Sequence, residues 1–126
     1  MQTLSTSPRP LPSRLPGFEL GEARERLGGN ERLLADLLRR FVAEHGGAAA
    51  EIEALVAAVQ PAHAVAALHR LKGAARIVGA AALSAAAEAA EVGLLHGDRG
   101  GLPGFRSALA ATVNHIKAAL CEGPPR

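Results

Sequence analysis

One face of a predicted helix collects a histidine, two cationic residues and a glycine, namely His69, Lys72, Gly73 and Arg76. Consecutive helical residues differ by about 100° in direction, so residues three, four and seven apart lie on the same side. The opposite side of this stretch is apolar and consists of Ala64, Ala67, Leu71, Ala74, Ala75 and Val78. The pattern therefore predicts that the apolar side packs inward and that the imidazole and its charged neighbours face solvent.

These residue types indicate chemistry at the imidazole of His69. Histidine has a reference pKa of about 6.5, so its neutral ring is a nucleophile near neutral pH. A glycine inside a helix costs about 1 kcal/mol relative to alanine. Gly73 lies one turn from His69 despite this cost, which indicates that a partner must come close to the imidazole.

The residues around His69 resemble the histidine-containing phosphotransfer (HPt) domain family. The family pattern reads His-x-Leu-Lys-Gly-x-Ala/Ser, followed by an aliphatic residue with Gly-Ala and then a leucine. This chain supplies it as His69, Leu71, Lys72, Gly73, Ala75, Val78, Gly79, Ala80 and Leu83. Upstream, the segments 15–19, 26–30 and 37–41 resemble HPt domains attached to hybrid sensor kinases. The resemblance covers residues 15–121.

The resemblance implies a phosphocarrier in a multistep His-Asp phosphorelay of two-component signal transduction. His69 would accept a phosphoryl group at Nε2 from an aspartate of a response-regulator receiver domain and pass it to another receiver. Lys72 would offset charge on the phosphoryl oxygens and Gly73 would leave room for the receiver. Arg76 would add positive potential, with a solvated surface charge as an equally good interpretation. The receiver would supply Mg²⁺, so we expect this chain to bind no cofactor and no metal.

Val65 and Ala66 precede His69 by one turn and share its face. The inward side is already filled by other residues, so we predict that these two form an apolar docking patch for the receiver. Contacts that must release after transfer call for a modest interface with an apolar centre and a charged rim. The alternative is that Val65 is an isolated surface aliphatic residue, which is common in proteins.

Two other function classes remain open on the sequence. The first is a helical adaptor that docks receivers without accepting phosphate, which the intact set of His69, Lys72 and Gly73 disfavours. The second is the phosphoacceptor domain of a chemotaxis-type kinase, which the kinase-linked upstream resemblance disfavours. The sequence contains no Gly-x-x-x-x-Gly-Lys-Ser/Thr or Gly-x-Gly-x-x-Gly loop for nucleotide phosphates. We therefore expect no autonomous kinase activity.

Composition narrows the class of protein further. Of 126 residues, 48% are hydrophobic and 2% aromatic, and the net charge is +2. The many alanines favour helices that approach each other closely. The basic residues are scattered and the chain has no Trp or Tyr, which disfavours nucleic-acid binding. The sequence contains no uninterrupted apolar run of 18 residues, so no membrane span is predicted. The single cysteine, Cys121, predicts neither an internal disulfide nor a metal site. We expect a cytoplasmic monomer.

The other four histidines lack the surroundings of His69. His45 lies on an apolar stripe and is interpreted as a packed residue, and His96 lies at a helix end, where a cation suits the helix dipole. His63 points about 120° away from His69, and His115 has no metal-ligating partner at helical spacing. No grouping of histidine with carboxylates or cysteine predicts zinc or iron.

The elements predicted from the sequence form an all-α, antiparallel up-down four-helix bundle with a short extra N-terminal helix. The short helix covers residues 18–28, and an unbroken apolar phase favours one helix over 31–59, with two helices meeting at Gly46 as the alternative. Further helices cover 61–78, 80–96 and 103–121. We predict a flexible Pro/Ser-containing linker over residues 1–16, the HPt-like bundle over 17–122 and a C-terminal tail over 123–126.

Overall fold

The computed structural model describes residues 11, 12 and 14–120, and the regular structure within them is entirely α-helical. The helices are α1 Leu20–Arg26, α2 Glu31–His45, α3 Ala48–Ala57, α4 Pro61–Ile77, α5 Ala81–Leu95 and α6 Leu102–Leu120. The all-α bundle with a short extra N-terminal helix is therefore confirmed. Residues 1–10, 13 and 121–126, including Cys121 and the predicted C-terminal tail, lie outside the described residues.

The bundle has four positions, occupied by α2 with α3, by α4, by α5 and by α6. α4 packs against α5 and against α2 and α3, and α6 packs against the same three helices. The side chains of α4 that pack inward are Ala64, Leu68, Leu71 and Ala75, and Val78 directly after the helix is also buried. α5 turns small residues such as Ala87 and Ala90 toward the core, so α4 and α5 approach closely. This close pair of helices carries the site.

The predicted continuous helix over residues 31–59 is wrong, because the chain leaves the helix at Gly46 and Gly47. Gly47 has φ −98° and ψ 9°, and α3 begins at the next residue. Two consecutive glycines weaken a helix at this point. The apolar phase continues across the break because α2 and α3 both pack on α4 and α6. Val59, the last residue of the predicted helix, is 81% exposed because the chain turns there with φ 57°.

Local chemistry fixes both ends of α4, the helix that carries His69. Pro61 occupies its first turn, where the missing N–H has no helical partner to lose. At the other end Gly79 adopts φ 78° and Ala80 N donates to Ala75 O at 2.8 Å, which closes a Schellman motif. A Cβ at Gly79 would lie 2.8 Å from Glu19 O, so glycine is required here for space as well as for φ.

The segment before α1 contacts the bundle in the part that the structure describes. Leu11 is buried, and the Arg24 guanidinium donates to Leu11 O and Pro12 O. Arg24 also forms an ion pair with Glu31 at the start of α2. The interpretation of residues 1–16 as a linker did not anticipate these contacts, which hold α1 and α2 together on one side of the bundle.

Candidate functional site

His69 stands on the outer surface of α4, with its side chain 67% exposed. Its position follows from the helical phase, since Leu68 and Leu71 on either side of it are buried. Leu68 was absent from the predicted inward stripe, although it is fully buried. The exposed ring can be reached by a macromolecular partner without any opening of the bundle.

Glu91 on α5 is the residue of this site that the sequence analysis missed. Its Oε2 lies 3.1 Å from His69 Nδ1, and its Oε1 lies 2.9 Å from Lys72 Nζ. Oε1 is buried, and the Lys72 ammonium is the cation paired with it. A signal was present in the sequence, because α5 contains only two charged residues, Glu88 and Glu91.

The charge of Glu91 decides which nitrogen of His69 carries the proton. Lys72 lowers the pKa of Glu91 below its ordinary value of 4.5, burial opposes this shift, and the contact with His69 adds to the lowering. Glu91 is thus ionised near neutral pH, and an ionised carboxylate can only accept hydrogen bonds. In the neutral ring, Nδ1 must therefore donate to Glu91, which leaves the lone pair on Nε2.

Both cations of the α4 face are paired with acids of α5. Lys72 was predicted to be exposed, but its side chain is only 13% exposed because Glu91 and the α4–α5 groove enclose it. Arg76 lies 3.6 Å from Glu88 in a pair that remains open to solvent. Lys72 thus lies beside His69 as predicted, but its charge is already balanced in this state.

Gly73 lies on the exposed face of α4, one turn after His69. A Cβ added at Gly73 would meet nothing within 4 Å, in contrast to the crowded Gly79. The bundle itself therefore gives no packing reason for glycine at this position. This open space agrees with the expectation that Gly73 serves the approach of a partner.

The two predicted docking residues differ in exposure. Ala66 is exposed one turn before His69, as predicted. Val65 is only half exposed and packs against the core, so the expectation that the core does not need it is wrong. The reason is its direction on α4, which places it on the same side as Lys72, toward α5. Ala66 is therefore the better position at which to test contacts beside the imidazole.

The amino-acid sequence matches a family profile that covers this site. Residues 36–120, well over half of the chain, match the profile of the Hpt domain. The chain belongs to the Hpt domain family. No curated protein and no solved structure gives a significant match. An Hpt domain is a histidine phosphotransfer module of phosphorelays that interacts with receiver domains, and it is not an ATP-binding kinase domain.

The other histidines of this Hpt domain lie in different surroundings. The His45 ring lies 5.0 Å from that of Phe41, as expected of a packed residue. His96 follows the last residue of α5, and its Nδ1 lies 3.0 Å from Val92 O. Within residues 11, 12 and 14–120, no group of three or more His, Cys, Asp or Glu residues could hold a metal ion. In the same residues, no helix has the length and apolarity needed to cross a membrane.

Lys72→Met should destabilise the Hpt domain by about 1–3 kcal/mol, the cost of leaving a buried polar group unsatisfied. The reason is that Glu91 would remain 13% exposed without its counter-charge. Arg76→Met is the matched control and should cost less than about 1 kcal/mol, because its pair with Glu88 is exposed. Urea unfolding of the three proteins at neutral pH measures the difference. A Lys72→Met protein no less stable than Arg76→Met would contradict the buried pair.

The same comparison has a predicted dependence on pH. Because the folded state lowers the pKa of Glu91, the pair contributes its full stability above the unfolded value of 4.5. That contribution is lost as the pH falls through the lowered folded value. The difference in unfolding free energy between the native protein and Lys72→Met should therefore become smaller as the pH falls below 4.5. A gap that stays constant would show that Glu91 is not the group involved.

Proposed function

We propose that this Hpt domain is a phosphocarrier that accepts a phosphoryl group on Nε2 of His69 from a receiver aspartate and passes it to another receiver. The multistep His-Asp phosphorelay in which it acts would include a hybrid sensor kinase. The observation that carries the proposal is the exposed His69 ring, whose Nδ1 contacts Glu91, so that Nε2 is the nitrogen left to react. The proposal includes that this domain is a monomer in the cytoplasm.

The transfer step uses the lone pair on Nε2. It attacks phosphorus, the P–N bond forms, and the P–O bond to the receiver aspartate breaks, with its electron pair returning to the carboxylate. Such a step requires in-line positioning and charge stabilisation. Lys72 supports it by turning from Glu91 toward the phosphoryl oxygens, and Arg76 adds longer-range positive potential. We place the required Mg²⁺ on the receiver, as the family resemblance implies.

Incubation with a panel of phosphorylated receiver domains tests the proposal. At least one receiver should transfer acid-labile label to the native chain, and a second, unphosphorylated receiver should then remove it. A helical adaptor would bind receivers and acquire no label. A phosphoacceptor domain of a chemotaxis-type kinase would acquire label only from an ATP-binding kinase domain.

Ala66→Glu should weaken receiver binding about fivefold or more, which corresponds to about 1 kcal/mol. Ala66 is exposed and shares the face of His69, so a carboxylate there meets the acidic phosphorylation pocket expected of a receiver. Val65→Glu is less suitable because half-buried Val65 packs on the core. Ala110→Glu, an exposed alanine on α6, is the matched control. Binding titrations at one salt concentration compare the two, and equal affinities would place docking on another face.

A further inference from the structure

One flank of α4 carries an exposed stripe that consists of Ala66, Arg70, Gly73 and Ile77. Their spacings of four, three and four residues place them on the same side of the helix. All four are exposed, and Ile77 is 55% exposed although it is a large aliphatic residue. The stripe adjoins His69 on the side away from α5. Because Gly73 leaves open space on this side, a partner can approach the ring along the stripe.

The three Lys and Arg side chains of α4 differ in their ion pairs. Lys72 is paired with Glu91, and Arg76 is paired with Glu88. In the part of the chain that the structure describes, no carboxylate forms an ion pair with Arg70. An adjacent acid reduces the field of a cation at a distance, so the two paired side chains act mainly at close range. Arg70 therefore adds a whole positive charge to the surface beside His69.

We propose that Arg70 is a specificity-determining residue that draws the acidic pocket of a receiver onto this flank and sets the rate of association. The inference rests on the proposed function for the class of partner. It goes beyond that function by assigning a residue and a step. A charge at the rim of an interface acts mainly on the association rate and on its dependence on salt. Arg70 points about 100° away from His69, so it acts before the transfer step and takes no part in it.

The chemistry of the Arg70 side chain fits an acidic partner. A guanidinium presents its N–H donors in a planar fork that matches the two oxygens of a carboxylate. Because Arg70 is exposed and has no ion pair to break, this fork is available when the two proteins meet. A receiver with carboxylates opposite the flank is attracted, and one with cations there is repelled. The residue thereby discriminates between receivers that offer the same phosphoaspartate chemistry.

The test measures by stopped flow how fast a fluorescently labelled receiver of the panel associates with the domain. At about 10 mM salt, Arg70→Gln should associate about threefold more slowly than the native domain, the effect of one unit charge about 6 Å from its partner in water. Arg70→Glu should associate about tenfold more slowly, because the charge is reversed. Arg70→Lys should match the native rate. At about 1 M salt, where the Debye length is about 3 Å, all four rates should converge.

Lys117→Gln is the matched control for net charge. Lys117 is exposed on α6, which lies across the bundle from α4. Its replacement removes one positive charge, as Arg70→Gln does, but leaves the flank of α4 unchanged. The control should associate at the native rate. The rate of label transfer at saturating receiver should be native for every variant, since Arg70 acts only on the encounter.

Three results would overturn the inference. These are a native association rate for Arg70→Gln at low salt, equal slowing by Lys117→Gln, and slowing that persists at high salt. Label transfer from the same phosphorylated receiver tests the proposed function separately. A native domain that binds the receiver and acquires no label would refute that function, while the association rates would still decide the role of Arg70. A native domain that binds no receiver would overturn both.

Discussion

His69→Gln should abolish phosphorylation by every receiver while the bundle stays folded. Glutamine has no nucleophilic ring nitrogen. No other described histidine is exposed beside both a paired lysine and an exposed helical glycine, as His69 is. The His69 side chain is 67% exposed, so its replacement should change the unfolding free energy by no more than about 0.5 kcal/mol. Circular dichroism, urea unfolding and acid-labile label measured on the same preparation test both halves of the prediction.

His63→Gln is the matched control for this prediction. His63 is exposed on the same helix, but its direction differs from that of His69 by about 120°. The control should accept label at the native rate. Persistent label on His69→Gln, or equal loss from both variants, would show that the acceptor is not His69.

Gly73→Leu should slow receiver-dependent transfer about a hundredfold, since a misplacement of about 1 Å can cost that much. A Cβ at Gly73 meets nothing within 4 Å and the position is exposed, so the added side chain can extend into solvent. The loss should therefore appear in transfer and not in stability. Phosphorylation of the variant by phosphoramidate, which is small, should remain near the native rate.

Alanine variants supply the control for the effect of Gly73. Gly104 of α6 is also an exposed helical glycine whose added Cβ would meet nothing. Gly73→Ala and Gly104→Ala should each raise stability by up to about 1 kcal/mol through helix propensity. Only the change at Gly73 should weaken receiver docking. Native transfer by Gly73→Leu would mean that close approach does not explain this glycine.

The exposed face of α4 could be predicted from the sequence because helical periodicity is a local property. It placed His69, Gly73 and Arg76 on one side, and that side is exposed. The same reasoning failed for Lys72 and Val65, which lie toward α5. Their exposure depends on how closely the neighbouring helix packs, and that distance is not encoded in the phase of α4.

The scarcity of charge on α5 singles out Glu88 and Glu91, but which of them contacts His69 could not be assigned from the sequence because it depends on the register between two helices. Glu91 lies 22 residues from His69, and a shift of one residue in α5 would turn it away from the ring. The break at Gly46 and Gly47 was predicted only as the alternative to one continuous helix, for a related reason. The spacing of apolar residues indicates which side of a helix packs inward, and α2 and α3 keep the same inward side across the break.

The most direct test of the account is to locate the carried group on the native protein. After incubation with a phosphorylated receiver, mass spectrometry under conditions that preserve phosphohistidine should find the acid-labile phosphoryl group on His69. Label on His45, His63, His96 or His115, or acid-stable label on a hydroxyl side chain, would contradict the central claim that His69 is the phosphocarrier residue.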